Sequence, residues 1–188
     1  MNIRKLTGLL LLAAVFLAGV IGGYLYFSKF FYKERTIDKE PVQTSINVDD
    51  FFSLRIYYPV YDHLQFEERR ILKRSVQIAI AEAAVEEYLK GPAGITSQII
   101  PKETKLLDLY KGVDKILYID LSEEFRRNFQ GDVLAEFLLL KGLYESIISN
   151  VEDVQDVKVI IEGREIETHG GHFYLLYPLK DTVSLEFK

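Results

Sequence analysis

The stretch LTGLLLLAAVFLAGVIGGYLYF, Leu6 to Phe27, carries no charged side chain. About 20 helical residues cross the hydrocarbon core of a bilayer, so this run is long enough to span one. Arg4 and Lys5 precede it, Lys29, Lys33 and Arg35 follow it, and Tyr24, Tyr26 and Phe27 stand where an interfacial aromatic belt lies. A cleaved signal has an apolar core of about 7–15 residues and small residues at its cleavage site. Here the run is longer and ends in aromatics, which favours an uncleaved anchor. Gly8, Gly19, Gly22 and Gly23 would weaken the same stretch as a helix in water. The short amino terminus favours that end staying inside while the rest is exported. The expected organisation is a single-pass membrane anchor over residues 1–28, a tether over 29–50 and a folded domain over 51–188. Pro41, Gln43, Thr44, Ser45 and Asn47 leave the tether without a core of its own. The domain is expected on the outer side of a cytoplasmic membrane.

Hydrophobic and charged fractions of 48% and 27% are those of a folded chain. The sequence has no cysteine, which excludes disulfides, thiolate zinc sites, a cysteine nucleophile and a lipid carried on cysteine. Acidic residues outnumber basic ones, 28 to 23. A surface for nucleic acid needs the opposite balance, so none is expected as a partner.

From Ser53 the pattern becomes that of strands and helices. SLRIYYPV alternates with period two, and HLQFEERRIL answers it across Val60 to Asp62 as a hairpin, with Leu64 and Phe66 expected to point inward. Ile78, Ala81, Val85, Tyr88 and Leu89 predict a helix over about 75–90, stopped by Gly91 and Pro92. TKLLDLYKG and KILYIDLS read as an antiparallel pair around Gly112, and Ser122 is placed to cap a short turn over 123–127. The longest helix covers about 132–150, with Val133, Phe137, Leu140, Tyr144 and Ile147 on one side. Leu138 and Leu139 fall outside that stripe, either widening the core face or offering an interaction surface. VKVIIEG is the last strand, turning at Gly163 and Arg164. The order β-β-α-β-β-α-β predicts an α+β domain with two helices packed on one mixed or antiparallel sheet.

Several of these stretches resemble the GerMN domain of sporulation and spore-germination proteins. The residues that carry the resemblance are Leu89, Lys90, Gly91 and Pro92; Asp120, Leu121 and Ser122 with Phe125; and Glu162, Gly163, Glu167, Gly171 and His172. It covers about residues 53–180. It implies an envelope protein anchored by a lipid or one helix, a role in cell-wall processes or in assembling a transmembrane complex, and no catalytic residues or cofactor. The missing lipidated cysteine sets this chain apart from the lipoprotein members and favours the membrane helix.

EGREIETHGGHF raises the question of chemistry. His169 and His172 are three apart, and Gly170 and Gly171 between them prevent a stable helix, so they lack the i, i+4 spacing of a helical zinc pair. A glycine turn would still permit them to converge, making them the candidate metal ligands. A catalytic zinc wants three protein ligands, and His63 lies far away in sequence. The alternative is that the glycines shape a tight turn and His172 hydrogen-bonds within it. Asp120, Glu123 and Glu124 imitate a glycosidase carboxylate pair, but helix-start acids explain the latter two. The expected function is a non-catalytic interaction or assembly module of the cell envelope that binds envelope proteins or peptidoglycan, with homo-oligomers as a further form. The alternative is a wall-acting hydrolase or metal-dependent enzyme using His169 and His172.

Overall fold

The computed structural model describes residues 16–17, 19–26, 50–94 and 99–185. The chain divides into two units, Met1–Ile46 and Asn47–Lys188. In the first, residues 19–26 are helical. The expected anchor lies mostly outside the described residues, and the tether lies outside them except for Asp50. Among the described residues no helix is long and apolar enough to cross a membrane.

The second unit begins with a hairpin of β1 (Phe51–Val60) and β2 (His63–Leu72), in register from Val60 against His63 to Phe51 against Leu72. Leu54, Ile56 and Tyr58 are fully buried, as their alternation predicts. Phe66 does not point inward but is 52% exposed. The two-residue turn sets Phe66 opposite Tyr57, on the face away from the core, while Leu64, opposite Pro59, is half-buried against the core as expected. Helix α1 (Gln77–Lys90) buries Ile80, Ala81, Ala83, Ala84, Val85 and Tyr88, while Ile78 sits at the solvent edge. Gly91 ends it with φ 79° and an extended ψ of 174°, a backbone that suits glycine.

The expected single sheet is instead two. β3 (Leu106–Lys111) pairs antiparallel with β4 (Ile116–Leu121), and β4 pairs parallel with β5 (Asp156–Ile161), giving a mixed three-stranded sheet apart from the hairpin. Between β4 and β5 run α2 (Glu124–Arg127) and α3 (Val133–Ile148), the crossover that a parallel pair requires. A last turn, α4, covers Lys180–Val183.

What separates the sheets is a stripe on α3. The Asn150 side chain, just past the helix end, accepts from the Arg55 N–H at 2.9 Å and donates to the Arg55 carbonyl at 2.7 Å. Ser146 Oγ accepts from the Tyr57 N–H at 2.8 Å. At Gly142, one turn earlier, a Cβ would stand 2.7 Å from the Tyr57 carbonyl oxygen. Gly142, Ser146 and Asn150 thus occupy the edge of β1 where another strand would have paired.

Helix α3 is held at its start by Asp132, whose carboxylate accepts the Ala135 N–H at 2.9 Å. Leu138 and Leu139 are 5% and 0% exposed, so they form no interaction surface. The helix is sandwiched between β1 on one side and α1 on another, with β5 and α4 against it, and from Glu136 to Ile147 all but Lys141 and Glu145 are buried. The Tyr88 hydroxyl donates to the Leu139 carbonyl at 2.7 Å, tying α1 to α3. Val133, in the first turn, is left 41% exposed.

Candidate functional site

The loop from Glu167 to Leu175 closes on itself through the Leu175 N–H, which donates to the Glu167 carbonyl at 2.9 Å, and through a bridge between Thr168 and Tyr174. Its two glycines have different reasons. Gly171 has φ 97°, a backbone that costs a side-chain-bearing residue. Gly170 lacks that conformation and is needed for room. A Cβ there would lie 2.7 Å from Glu136 Oε2 and 2.7 Å from the Phe129 ring.

Glu136, from the first turn of α3, is the residue this loop is built around. Its side chain is fully buried. A buried carboxylate must be hydrogen-bonded to persist. Oε1 accepts the Gly170 N–H at 2.8 Å, and Oε2 accepts the His172 N–H at 3.1 Å and His172 Nδ1–H at 2.7 Å. A carboxylate only accepts, so Nδ1 carries a proton toward Glu136, and in the neutral form of the ring Nε2 is the nitrogen left without one. The His172 side chain is 41% exposed.

His169 is buried on the other side of the acid. Its Nε2–H donates to the Phe125 carbonyl at 2.8 Å, and its ring lies 4.6 Å from each of the Phe125 and Phe129 rings. Nδ1 stands 4.0 Å from Glu136 Oε1 without a hydrogen-bond partner. Burial pushes the imidazole pKa below 6.5; the Phe125 carbonyl and Glu136 oppose that shift only in part. His169 is therefore neutral at pH 7.

The glycine turn does bring both histidines to one place, but to one carboxylate rather than to one cation. His169 uses Nε2 on the backbone, and His172 uses Nδ1 on Glu136. Among the described residues no three His, Asp or Glu side chains are grouped to hold a metal ion. His63 is paired with Asp62 at 3.0 Å in the β1–β2 turn.

The other residues of the motif act as joints. Asp120 accepts the Gly163 N–H at 3.0 Å, and Glu162 accepts the Glu123 N–H at 3.2 Å, tying the ends of β4 and β5 together. Gly163 takes φ 71° in that turn. The Ser122 hydroxyl accepts the Lys105 N–H at 3.0 Å. Its hydrogen bond to Glu124 leads the causes that hold that carboxyl below 4.5. Glu124 also pairs with Arg127, so Asp120 and Glu124 serve separate networks. Phe125 is fully buried against His169. Gly91 and Pro92 lie at the end of α1, where the Gly91 carbonyl accepts from Arg69 at 3.0 Å.

Sequence reasoning missed Glu136. One signal was available: a lone acid in the otherwise apolar run from Val133 to Leu140. It also missed Lys158, 5% exposed in β5, which donates to Glu165 at 2.6 Å and to the Leu176 carbonyl, pinning the carboxy-terminal segment.

An α+β unit with a hairpin, a mixed sheet and a braced carboxy-terminal loop defines a class of small domain, and the comparisons say which. The family model described as Germane, sporulation and spore germination, matches residues 55–167, and the chain belongs to that family. A crystal structure of a candidate lipoprotein from Clostridium perfringens is similar at 21% identity, covering 70% of this chain and 89% of that one, with a TM-score of 0.50. The tandem GerMN domains of the sporulation protein GerM from Bacillus subtilis are similar at 17% identity and a TM-score of 0.50, covering 70% of this chain. This chain spans 47% of that tandem structure. No curated protein matches the chain.

Proposed function

We propose that this chain is a docking module of the cell envelope, in which the domain over residues 51–188 binds envelope proteins or peptidoglycan without turning a substrate over. The observation that carries it is the closed corner at Glu136. The acid is fully buried and accepts three hydrogen bonds from Gly170 and His172, bracing a surface loop against α3. Such an arrangement supports shape rather than turnover. The anchor over residues 1–28 holds the domain on the outer side of the cytoplasmic membrane; the charge-free run from Leu6 to Phe27 supports this reading, as does the lipoprotein described among the similar structures. Membership of a sporulation and germination family supports a wall-related setting. Cross-linking in native membranes followed by affinity purification tests it. Recovery of an envelope partner or wall fragments is expected; recovery of the monomer alone overturns it.

One observation favours a second reading, a wall-acting hydrolase. Glu136 fixes the His172 tautomer from behind and leaves Nε2 as a base on a half-exposed ring, which is the carboxylate–imidazole half of an acid/base device. Digestion of peptidoglycan by the wild type and by His172→Ala separates the two. Histidine-dependent release of fragments favours the hydrolase, and equal silence favours docking.

A further inference from the structure

We propose that the open edge of β2 is a self-association surface, on which a second copy of this chain adds its own β2 antiparallel and joins two hairpins into one four-stranded sheet. Arg55 and Tyr57 turn their N–H groups away from β2 and toward α3. Their cross-strand partners Glu68 and Phe66 therefore turn theirs away from β1. By the same alternation Leu64, Phe66, Glu68 and Arg70 line the outer edge of β2. Among the described residues their outward backbone groups have no hydrogen-bond partner. Natural edges are usually blunted by proline, a bulge or charged side chains. β2 has no proline and no bulge, HLQFEERRIL running without a break in register from His63 to Leu72, and its charges from Glu67 to Arg70 place one acid and one base on each face, where a partner strand can answer them.

The side chains say what fits there. Phe66 and Leu72 are 52% and 63% exposed, and Glu68 and Arg70 are exposed between them, all on the face away from the core. Pairing β2 with itself about a twofold axis through Arg69 sets each Glu68 opposite Arg70 of the second copy and each Phe66 opposite Leu72 of the second copy. Sliding the pairing by one step either way sets Glu68 against Glu68 or Arg70 against Arg70, and like charges directly opposite destabilise a sheet. On its outer face the strand is thus complementary to its own reverse in that register. The two Arg69 side chains meet on the inner face. Each is already held by Glu67 at 2.8 Å and the Gly91 carbonyl at 3.0 Å, and each lies over Tyr58. This pairing holds whatever His172 does.

The absence of cysteine makes the test clean. Full-length Phe66→Cys and Leu72→Cys proteins, carrying tags of different size, are mixed in detergent micelles and mildly oxidised. In the proposed register positions 66 and 72 face each other with Cα atoms about 5.5 Å apart, within disulfide reach. Each position lies about 20 Å along the strands from its own copy. The 66–72 heterodimer is expected in about tenfold excess over either homodimer, since the like pairs lie outside disulfide reach. Adding Glu68→Arg or Arg70→Glu alone to both proteins should lower the yield, and adding the two together should restore it. Equal yields of all three dimers, no dimer, or indifference to charge reversal overturns the proposal.

Discussion

Replacing Gly142 by alanine sets two effects of opposite sign against each other. In a helix interior alanine is favoured over glycine by about 1 kcal/mol, so intrinsic propensity predicts a stabilised protein. The packing predicts the reverse. The new Cβ would lie 2.7 Å from the Tyr57 carbonyl oxygen and 3.2 Å from Tyr88 Cε2 and its hydroxyl. Ordinary contact begins near 3.4 Å, so α3 must retreat from β1 by several tenths of an ångström. Overpacking of that kind costs about 1–3 kcal/mol. The retreat also stretches the bonds from Ser146 and Asn150 to Tyr57 and Arg55, each worth about 1 kcal/mol. The net expectation is a loss of about 1–3 kcal/mol. Urea unfolding followed by tyrosine fluorescence reads it, since the chain has 12 tyrosines and no tryptophan. A variant as stable as the wild type, or more stable, would show that α3 does not seal the β1 edge by close approach.

Glu136→Ala strands the Gly170 and His172 N–H groups and should cost about 2–4 kcal/mol, while Glu136→Gln, which keeps one acceptor oxygen, should cost about half of that; equal urea midpoints for both variants and the wild type would refute the brace. Leu139→Ala should lose about 2–5 kcal/mol, because its side chain is fully buried; a neutral result would return Leu139 to the surface. His169 binds its proton less readily when folded than when free, so the unfolded chain protonates first on acidification and stability falls as pH drops through 6.5. His169→Gln should flatten that part of the stability–pH profile, and an unchanged slope would refute it. At Asp153, Lys115 and Lys111 lower the pKa to about 2, so its contribution is full above 3.8 and is lost between 3.8 and 2; Asp153→Asn should remove that acid limb from a pH titration of unfolding.

The carboxy-terminal loop shows how far local reading of the site reaches. Two glycines between two histidines announced a tight turn near the sheet end, and the turn is there. What the turn encloses came from elsewhere: Glu136 is 34 positions from Gly170 and 36 from His172. Nothing near His169 or His172 names that partner. A lone glutamate in an apolar helical stretch was the trace it left.

The sequence by itself determined the order of elements from β1 to β5, the pairing of the first two strands as a hairpin, the stop at Gly91, and membership of the family. All of these depend on alternation, periodicity and capping within a few residues. Only the tertiary structure decided that the strands form two sheets, that Leu138 and Leu139 are core, and that the two histidines meet at a carboxylate. Each of those depends on which edge or face of one element another element covers, and the covering groups lie far away in the chain, as Asn150 lies 95 positions from Arg55. A period reports which face of an element is apolar, and burial of the remaining faces is settled only when the neighbours arrive.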